Sequence, residues 1–459
     1  MKTGYLSRQK AASWASTLST VFVGALVAIM PTQHRVHALP LPGPVYVDFK
    51  LYTSYLALGL AIGCWLLGHL LDPARKPWRM GPLFILAPMA GLIILSVIGI
   101  PFAVDPRYSA GRTAHLILML AFYLYLLNAR LSPAAIAWPL AAGMLLQAAV
   151  GIPQFLLGSS VGLPFLGEPV LDSMVAGTSV LAVGERVWLR AYGLSQHPNM
   201  LGGFMASSLL MALGFYLTQS RWRSAAMLGA LAAGLAVLLL TFSRSAWLGL
   251  GIGGLALGAM YVRYSHQRGR SCRPLMLAIA SALVLGIVFV ATQWPLLLPR
   301  LGMTYAAVEV RSVDQRASLM RGAWALIRLR PLLGVGLGNC ATALLVLAPE
   351  SVADYAVYLP VHNVPLLTIA ELGVAGGILW GALTLAPWAA MWLRRRHLRW
   401  SPWLMGLSAA SAALIVTSLF GPMVWATHQG RLLQWMIWGL WASEWLRIRE
   451  HGSAKEATG

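Results

Sequence analysis

Apolar residues along this chain come in twelve long runs separated by short polar or basic turns. They cover roughly 14–32, 51–71, 82–104, 113–129, 133–157, 199–218, 224–241, 245–263, 275–295, 363–391, 402–420 and 431–447. A bilayer core about 30 Å thick takes roughly 20 apolar residues of helix per crossing. Backbone groups in lipid must be satisfied within the protein, so the runs predict helices. The ten-residue alternation of a membrane barrel is absent. The pattern therefore predicts an all-α integral membrane protein with about 12 transmembrane helices. Residues 1–295 form helices 1–9 with a loop at about 158–198. Residues 296–362 form a second long loop, and 363–459 form helices 10–12 with a tail. A loop as long as the second, between helices 9 and 10, is uncommon without a job. It also carries helical periodicity. Ser312 and Gln315 make a capping-box pattern. Val313, Ala317, Met320, Trp324 and Ile327 then recur as one apolar stripe, predicting an amphipathic helix on the membrane surface. That helix ends in the Pro/Gly-rich stretch from Arg330 to Asn339.

Charge orients the chain. The formal net charge is +20, with 10% charged residues against 58% hydrophobic. That charge does not indicate nucleic acid, because the basic residues lie between apolar runs. With the N-terminus inside, 20 of the 34 Lys and Arg residues fall on the cytoplasmic side, including every short, strongly basic turn. Both termini are then cytoplasmic. The other 14 lie outside, six of them in the long loop. The basic N-terminus followed by the run from Trp14 resembles a signal peptide and is read as an uncleaved first span. Cys64, Cys272 and Cys340 have neither disulfide placement nor zinc spacing.

Four constellations carry candidate chemistry, all on the outer side. Arg190 to Asn199 closes the first long loop and opens the sixth helix; His197-Pro198 reads as a helix cap or a base, and Arg190 as an anion ligand. Arg244 sits in a very short turn, either snorkelling or functional. His362-Asn363 joins the long loop to the tenth helix, where a neutral imidazole suits a general base; Glu371 is two turns deeper, either a buried structural carboxylate or part of the site. Arg311, Arg316, Arg321, Arg328 and Arg330 gather outside against the usual bias, either facing headgroups or binding phosphate through their planar forks. No Walker loop, Rossmann fingerprint, HExxH, GxSxG or Asp-x-Asp occurs, and the scarcity of outer carboxylates argues against a divalent metal site.

At these residues the chain resembles the lipopolysaccharide O-antigen ligase family, in the superfamily shared with O-antigen polymerases and some oligosaccharide transferases to protein. The resemblance covers about Arg190 to Trp380. The family pattern of His, then Asn, Ser or Gln, nine residues, Gly, two residues, and Gly, Thr or Tyr reads His362, Asn363, Gly373, Gly376. Its Arg-x-x-x-Leu reads Arg190 and Leu194, and the stretch from Arg321 through Pro331 to Asn339 is similar to the segment preceding the essential His. The resemblance implies glycan transfer from undecaprenyl diphosphate to lipid A–core oligosaccharide at the periplasmic face of the inner membrane. It implies inversion at the anomeric carbon, with no metal, nucleotide or other cofactor. It implies His362 as catalytic base, and it suits Arg190, Arg244, Arg316, Arg321 and Asn363 as substrate ligands, with His197, Glu371 and Arg328 as further candidates. The partners are then the lipid-linked glycan, the lipid A–core and membrane lipids. An O-antigen polymerase is the nearest alternative, followed by a protein O-oligosaccharyltransferase and a lipid-linked glycan transporter. The transporter reading lacks the inverted repeat and midplane polar sites such proteins use.

Overall fold

A computed structural model describes residues 2–40, 48–72, 77–175, 177–219, 221–303, 307–351, 359–395 and 400–456. Helices stand at all twelve expected runs. In chain order they are α1 (Lys2–Ile29), α2 (Thr53–Leu71), α3 (Leu83–Gly99), α4 (Pro106–Asn128), α5 (Pro133–Leu157), α6 (Pro198–Tyr216), α7 (Arg221–Leu240), α8 (Arg244–Arg268) and α9 (Arg273–Arg300). After the second long loop, which holds α10 (Ala307–Leu329) and α11 (Cys340–Leu347), come α12 (Val364–Leu393), α13 (Pro402–Ser418), the single turn α14 (Met423–Ala426) and α15 (His428–Glu456). Among the described residues, nine helices are long and apolar enough to cross a membrane; the apolar parts of α7 and α13 are shorter.

The starts of these helices follow a local rule. Asp105, Ser132, His197 and Ser401 each precede a proline, and each side chain accepts from a backbone N–H of the first turn. Proline loses nothing there, because its missing donor had no helical partner, and the cap satisfies one of the amides left over.

Burial sorts the helices. In α6, 83% of the apolar window is buried, against 11% in α9. α6 therefore sits deep in the bundle, and α9 presents apolar side chains outward as a lipid-facing helix would. α6 meets α13 at Gly214 and Gly406, where a Cβ on Gly214 would sit 2.6 Å from the Gly406 Cα. Without a hydrophobic force between helices in lipid, such close backbone approach is what holds them together.

Two expectations need correction. The chain is not purely helical: β1 (Arg35–Pro40) pairs with β2 (Asp48–Tyr52), and β3 (Val180–Val183) with β4 (Arg186–Leu189), as two antiparallel hairpins. α10 begins at Ala307, so Ser312 and Gln315 lie inside the helix and not at its cap. The packed face of α10 is Leu319, Ala323, Leu326 and Ile327, whereas Val313, Met320 and Trp324 of the expected stripe are exposed. The stripe expected on the membrane surface is thus mostly exposed, and a neighbouring apolar stripe through Leu319, Ala323 and Leu326 packs against the protein.

Candidate functional site

The Gly-rich stretch after α10 is explained by a break in α12. Gly373 has φ 71° and ψ −178°, interrupting the helix, and a Cβ there would overlap the Leu332 carbonyl oxygen. The loop fills the break. Val335 N–H donates to Ala370 O (2.9 Å), Gly336 N–H to Glu371 O (3.0 Å), and Val374 N–H to Pro331 O (2.9 Å). Backbone groups freed at membrane depth are thus re-satisfied inside the protein. The same loop grips the α3–α4 turn: Val104 N–H donates to Val335 O, Asp105 N–H to the Asn339 side chain, and Arg330 Nη1 to Phe102 O. The family's Gly373 and the glycines before Asn339 are one docked unit.

Glu371 lies at that break and is 3% exposed. Its Oε2 accepts from Trp425 Nε1 (2.8 Å), the backbone N–H groups of Gly338 and Cys340 also donate to it, and Arg112 is its cationic neighbour. The structure gives this carboxylate structural partners and does not bring it to either histidine.

His362 precedes α12. Capping is done by the next residue: Asn363 Oδ1 accepts from Leu366 N–H (2.9 Å), while its Nδ2 donates to Leu419 O (3.3 Å). The His362 ring is half-buried, and its Nδ1 is buried with no hydrogen-bond partner among the described residues. Burial and the Arg316 charge lower its pKa to about 4, against the opposing pull of the Pro360 carbonyl.

His197 lies close by. Burial pushes its pKa well down, followed by the charges of Arg190, His362, Arg316 and Arg300. Two histidines and three arginines from four separate segments therefore converge. Unlike His362, His197 spends its Nδ1 accepting from Asn199 N–H (3.1 Å).

Arg190 is 4% exposed and braced on three sides: Nε to Thr241 O (2.7 Å), Nη1 to Ser179 Oγ (2.8 Å), Nη2 to Asn199 Oδ1 (2.6 Å). Two buried glutamines of α5 hold the segment after it. Gln154 accepts from Tyr192 N–H and donates to Gly193 O, and Gln147 accepts from Leu194 N–H. Gln154 also donates to Glu168 (2.7 Å). Burial raises the Glu168 pKa, but Gln154 and the N–H groups of Leu163, Val161 and Gly162 outweigh it and leave it below the ordinary carboxylate value.

Arg244, exposed at the start of α8, donates from Nη1 to Arg300 O (2.9 Å). The turn before it passes through Phe242, at φ 47° and wholly buried against Phe155 and Phe289. A non-glycine residue in that region is strained and needs such packing to hold it. Arg316 is half-buried, whereas Arg321 and Arg328 are exposed. At 3.6 residues per turn those two lie roughly 120–140° around α10 from Arg316. They share a flank, as the spacing predicted, but not the flank that meets the histidines. The Arg311 side chain is outside the described residues.

Sequence reasoning missed Arg300 as a member of this group. It ends the apolar run of α9, is 9% exposed, and was legible only as one more outer arginine. The buried pair Gln147 and Gln154 carried a clearer signal, two polar residues seven apart on one face of an apolar helix. Among the described residues no cluster of three His, Cys, Asp or Glu side chains is arranged to hold a metal ion.

No curated protein matches the chain. Residues 229–381 match the family model described as O-antigen ligase, and across that stretch, which holds Arg244, Arg316, His362, Glu371 and Gly373, the resemblance to the O-antigen ligase family is established.

Proposed function

We propose that the chain is an O-antigen ligase, transferring O-antigen glycan from undecaprenyl diphosphate to a hydroxyl of the lipid A–core oligosaccharide. His362 is the general base, and the reaction proceeds with inversion and without a metal. The observation that carries this reading is the unpartnered Nδ1 of His362 beside Arg316. A neutral imidazole nitrogen with no partner among the described residues keeps its lone pair uncommitted, and it accepts the proton of an acceptor hydroxyl once substrate binding uncovers it. Arg316, Arg300 and Arg244 supply the positive field that a diphosphate leaving group needs as its charge grows. Arg190 contributes from its braced position, and Arg321 and Arg328 reach the longer glycan or headgroups. Asn363 holds the helix start that presents His362.

The two roles reinforce each other. An imidazole whose pKa is about 4 is a weak base, and the Arg316 charge is one cause. A diphosphate paired with Arg316 cancels that charge, so donor binding raises the His362 pKa and strengthens the base when it is needed.

The site is placed on the periplasmic face of the inner membrane, with both termini cytoplasmic, a reading supported by the distribution of the basic turns. Alkaline phosphatase fused near Asp314 is expected to be active and a C-terminal fusion inactive. The lipopolysaccharide ladder of a deletion strain tests the activity. Core without O-antigen, with accumulated lipid-linked glycan, is the ligase outcome; core bearing one repeat unit identifies a polymerase instead.

A further inference from the structure

A cavity of about 350 Å3 lies between the α1–α2 connection and the loop after α5. Gln33, His34 and Tyr52 form one wall, and Pro164, Glu168 and Pro169 the other. Gln196 also lines it, immediately ahead of His197. The walls are seated on each other: Gly167 has φ 82°, and a Cβ there would overlap the His34 backbone nitrogen. They are also held from behind. Glu168 spends its two oxygens on Gln154 Nε2 and the N–H groups of Val161, Gly162 and Leu163. The Tyr52 ring stacks on His428 with centroids 3.6 Å apart. Gln33 Nε2 donates to Gln429 Oε1 (3.2 Å), and His34 Nδ1 pairs with Thr53 Oγ1 (2.6 Å). The cavity is therefore preformed, and its size falls among small-molecule sites, roughly 300–1,000 Å3.

The chemistry of the lining selects its ligand by exclusion. Among the described residues that line the cavity there is no arginine or lysine, and Glu168 is a carboxylate, so an anion gains nothing there. A cation would need Glu168, whose acceptor positions are already taken by four N–H donors. An apolar ligand would strip water from two side-chain amides, an imidazole and a phenol without replacing its hydrogen bonds. A neutral polyhydroxylated ring meets none of these objections. Each hydroxyl both donates and accepts, as amide and imidazole groups require, and the C–H faces of the ring can lie on Pro164, Pro169 and Tyr52. The arginine cluster around His362 has the opposite character and suits a diphosphate. Gln196 and His197, adjacent in the chain, put the two kinds of site side by side.

We infer that this cavity binds a neutral sugar ring of a glycan substrate, held by Gln33, His34, Tyr52 and Gln196. The inference rests on the glycan-transfer reading above and deepens it. The test is a binding titration on the detergent-purified full chain with two lipid-free probes, the core oligosaccharide and the O-antigen repeat of the source strain. One of them is expected to bind saturably: the core if the ring belongs to the acceptor, the repeat if it belongs to the donor. Gln196→Trp, which fills the cavity from an exposed position, should abolish that binding. His34→Ala should weaken it roughly 2–10-fold, the worth of one hydrogen bond, and it carries the test if Gln196→Trp does not fold. Absence of saturable binding by either probe overturns the assignment, as does binding unchanged in both variants. Loss of binding on adding inorganic phosphate also overturns it, because a neutral site has no use for that anion. Reconstituted ligation separates this failure from failure of the proposed function. Normal transfer with both KM values unchanged in Gln196→Trp and His34→Ala rejects the cavity and keeps the ligase. Glycan binding that the variants abolish, in a protein that transfers nothing, keeps the cavity and rejects the ligase.

Discussion

His197 and His362 each stand just before a helix that begins with proline in its first turns, and their rings are close enough for one charge to act on the other. In His197 the ring itself caps the helix, accepting from Asn199 N–H. At His362 that work falls to Asn363, one residue later, and the imidazole Nδ1 has no partner among the described residues. Two similar motifs thus yield one histidine whose ring caps its helix and one whose ring does not. The distinguishing feature is whether a short polar residue stands between the histidine and the helix, since such a side chain is the better cap and releases the ring.

The largest effect expected from this comparison is at His362. His362→Ala removes the base and is expected to lower ligation by about 10²–10⁴-fold. Because Asn363 keeps capping α12, the unfolding midpoint should barely change. Reconstituted ligation with defined donor and acceptor, beside a donor-binding measurement, checks this. Near-normal turnover would place the base elsewhere.

Arg316 comes next. Arg316→Gln removes the cation that faces both histidines. Losing charge-assisted contacts to the diphosphate should cost roughly 10–100-fold, from about 1.5–3 kcal/mol per interaction. The pH profile adds a signature that simple loss of binding lacks. His362 accepts a proton only when neutral, so the rate falls as pH drops through its pKa. In the wild-type protein that pKa is pulled below the ordinary 6.5, and removing a positive neighbour lets it rise. The acidic limb of the profile should therefore move to higher pH in Arg316→Gln and stay near the wild-type position in Arg316→Lys. Arg316→Lys should still lose rate, because the ammonium lacks the planar fork.

The helices were legible because apolar run length is a local signal; of the polar-before-proline starts only His197-Pro198 was read, and α4 begins at Pro106, ahead of the apolar run that predicted it. Gly373 was legible as a motif position but not as a helix break, since the break exists only because the loop from Pro331 to Gly336 is there to fill it. Glu371 was ambiguous for a similar reason. Its partners Trp425, Gly338 and Arg112 are remote in sequence, and only the fold shows that they claim it. The exposed stripe on α10 was legible as periodicity, whereas the neighbouring stripe through Leu319, Ala323 and Leu326 was not, because the elements it packs against are remote in sequence. The arginines divided by facing direction, which spacing gave for Arg321 and Arg328 relative to each other but not relative to a site built from other segments. The strand pairs Arg35–Pro40 with Asp48–Tyr52 and Val180–Val183 with Arg186–Leu189 escaped because each strand is held by an antiparallel partner and not by periodicity of its own.

The smallest effects are expected at His197, and a pair of substitutions there separates capping from chemistry. His197→Ala removes an acceptor from the α6 start, a loss typically of about 1 kcal/mol. α6 is the most buried of the candidate spans, so the loss should appear as a lower unfolding midpoint. A few-fold drop in rate should accompany it, as Asn199, which also accepts from Arg190 Nη2, shifts with the helix end. His197→Asn has no imidazole, yet asparagine is among the best residues for that position. If the ring serves only as a cap, His197→Asn recovers both the midpoint and the rate to near wild type. If His197 instead moves a proton, His197→Asn recovers the midpoint but leaves the rate as low as a base deletion. The asparagine variant is therefore decisive: a stable but inactive His197→Asn would reverse the roles assigned to the two histidines.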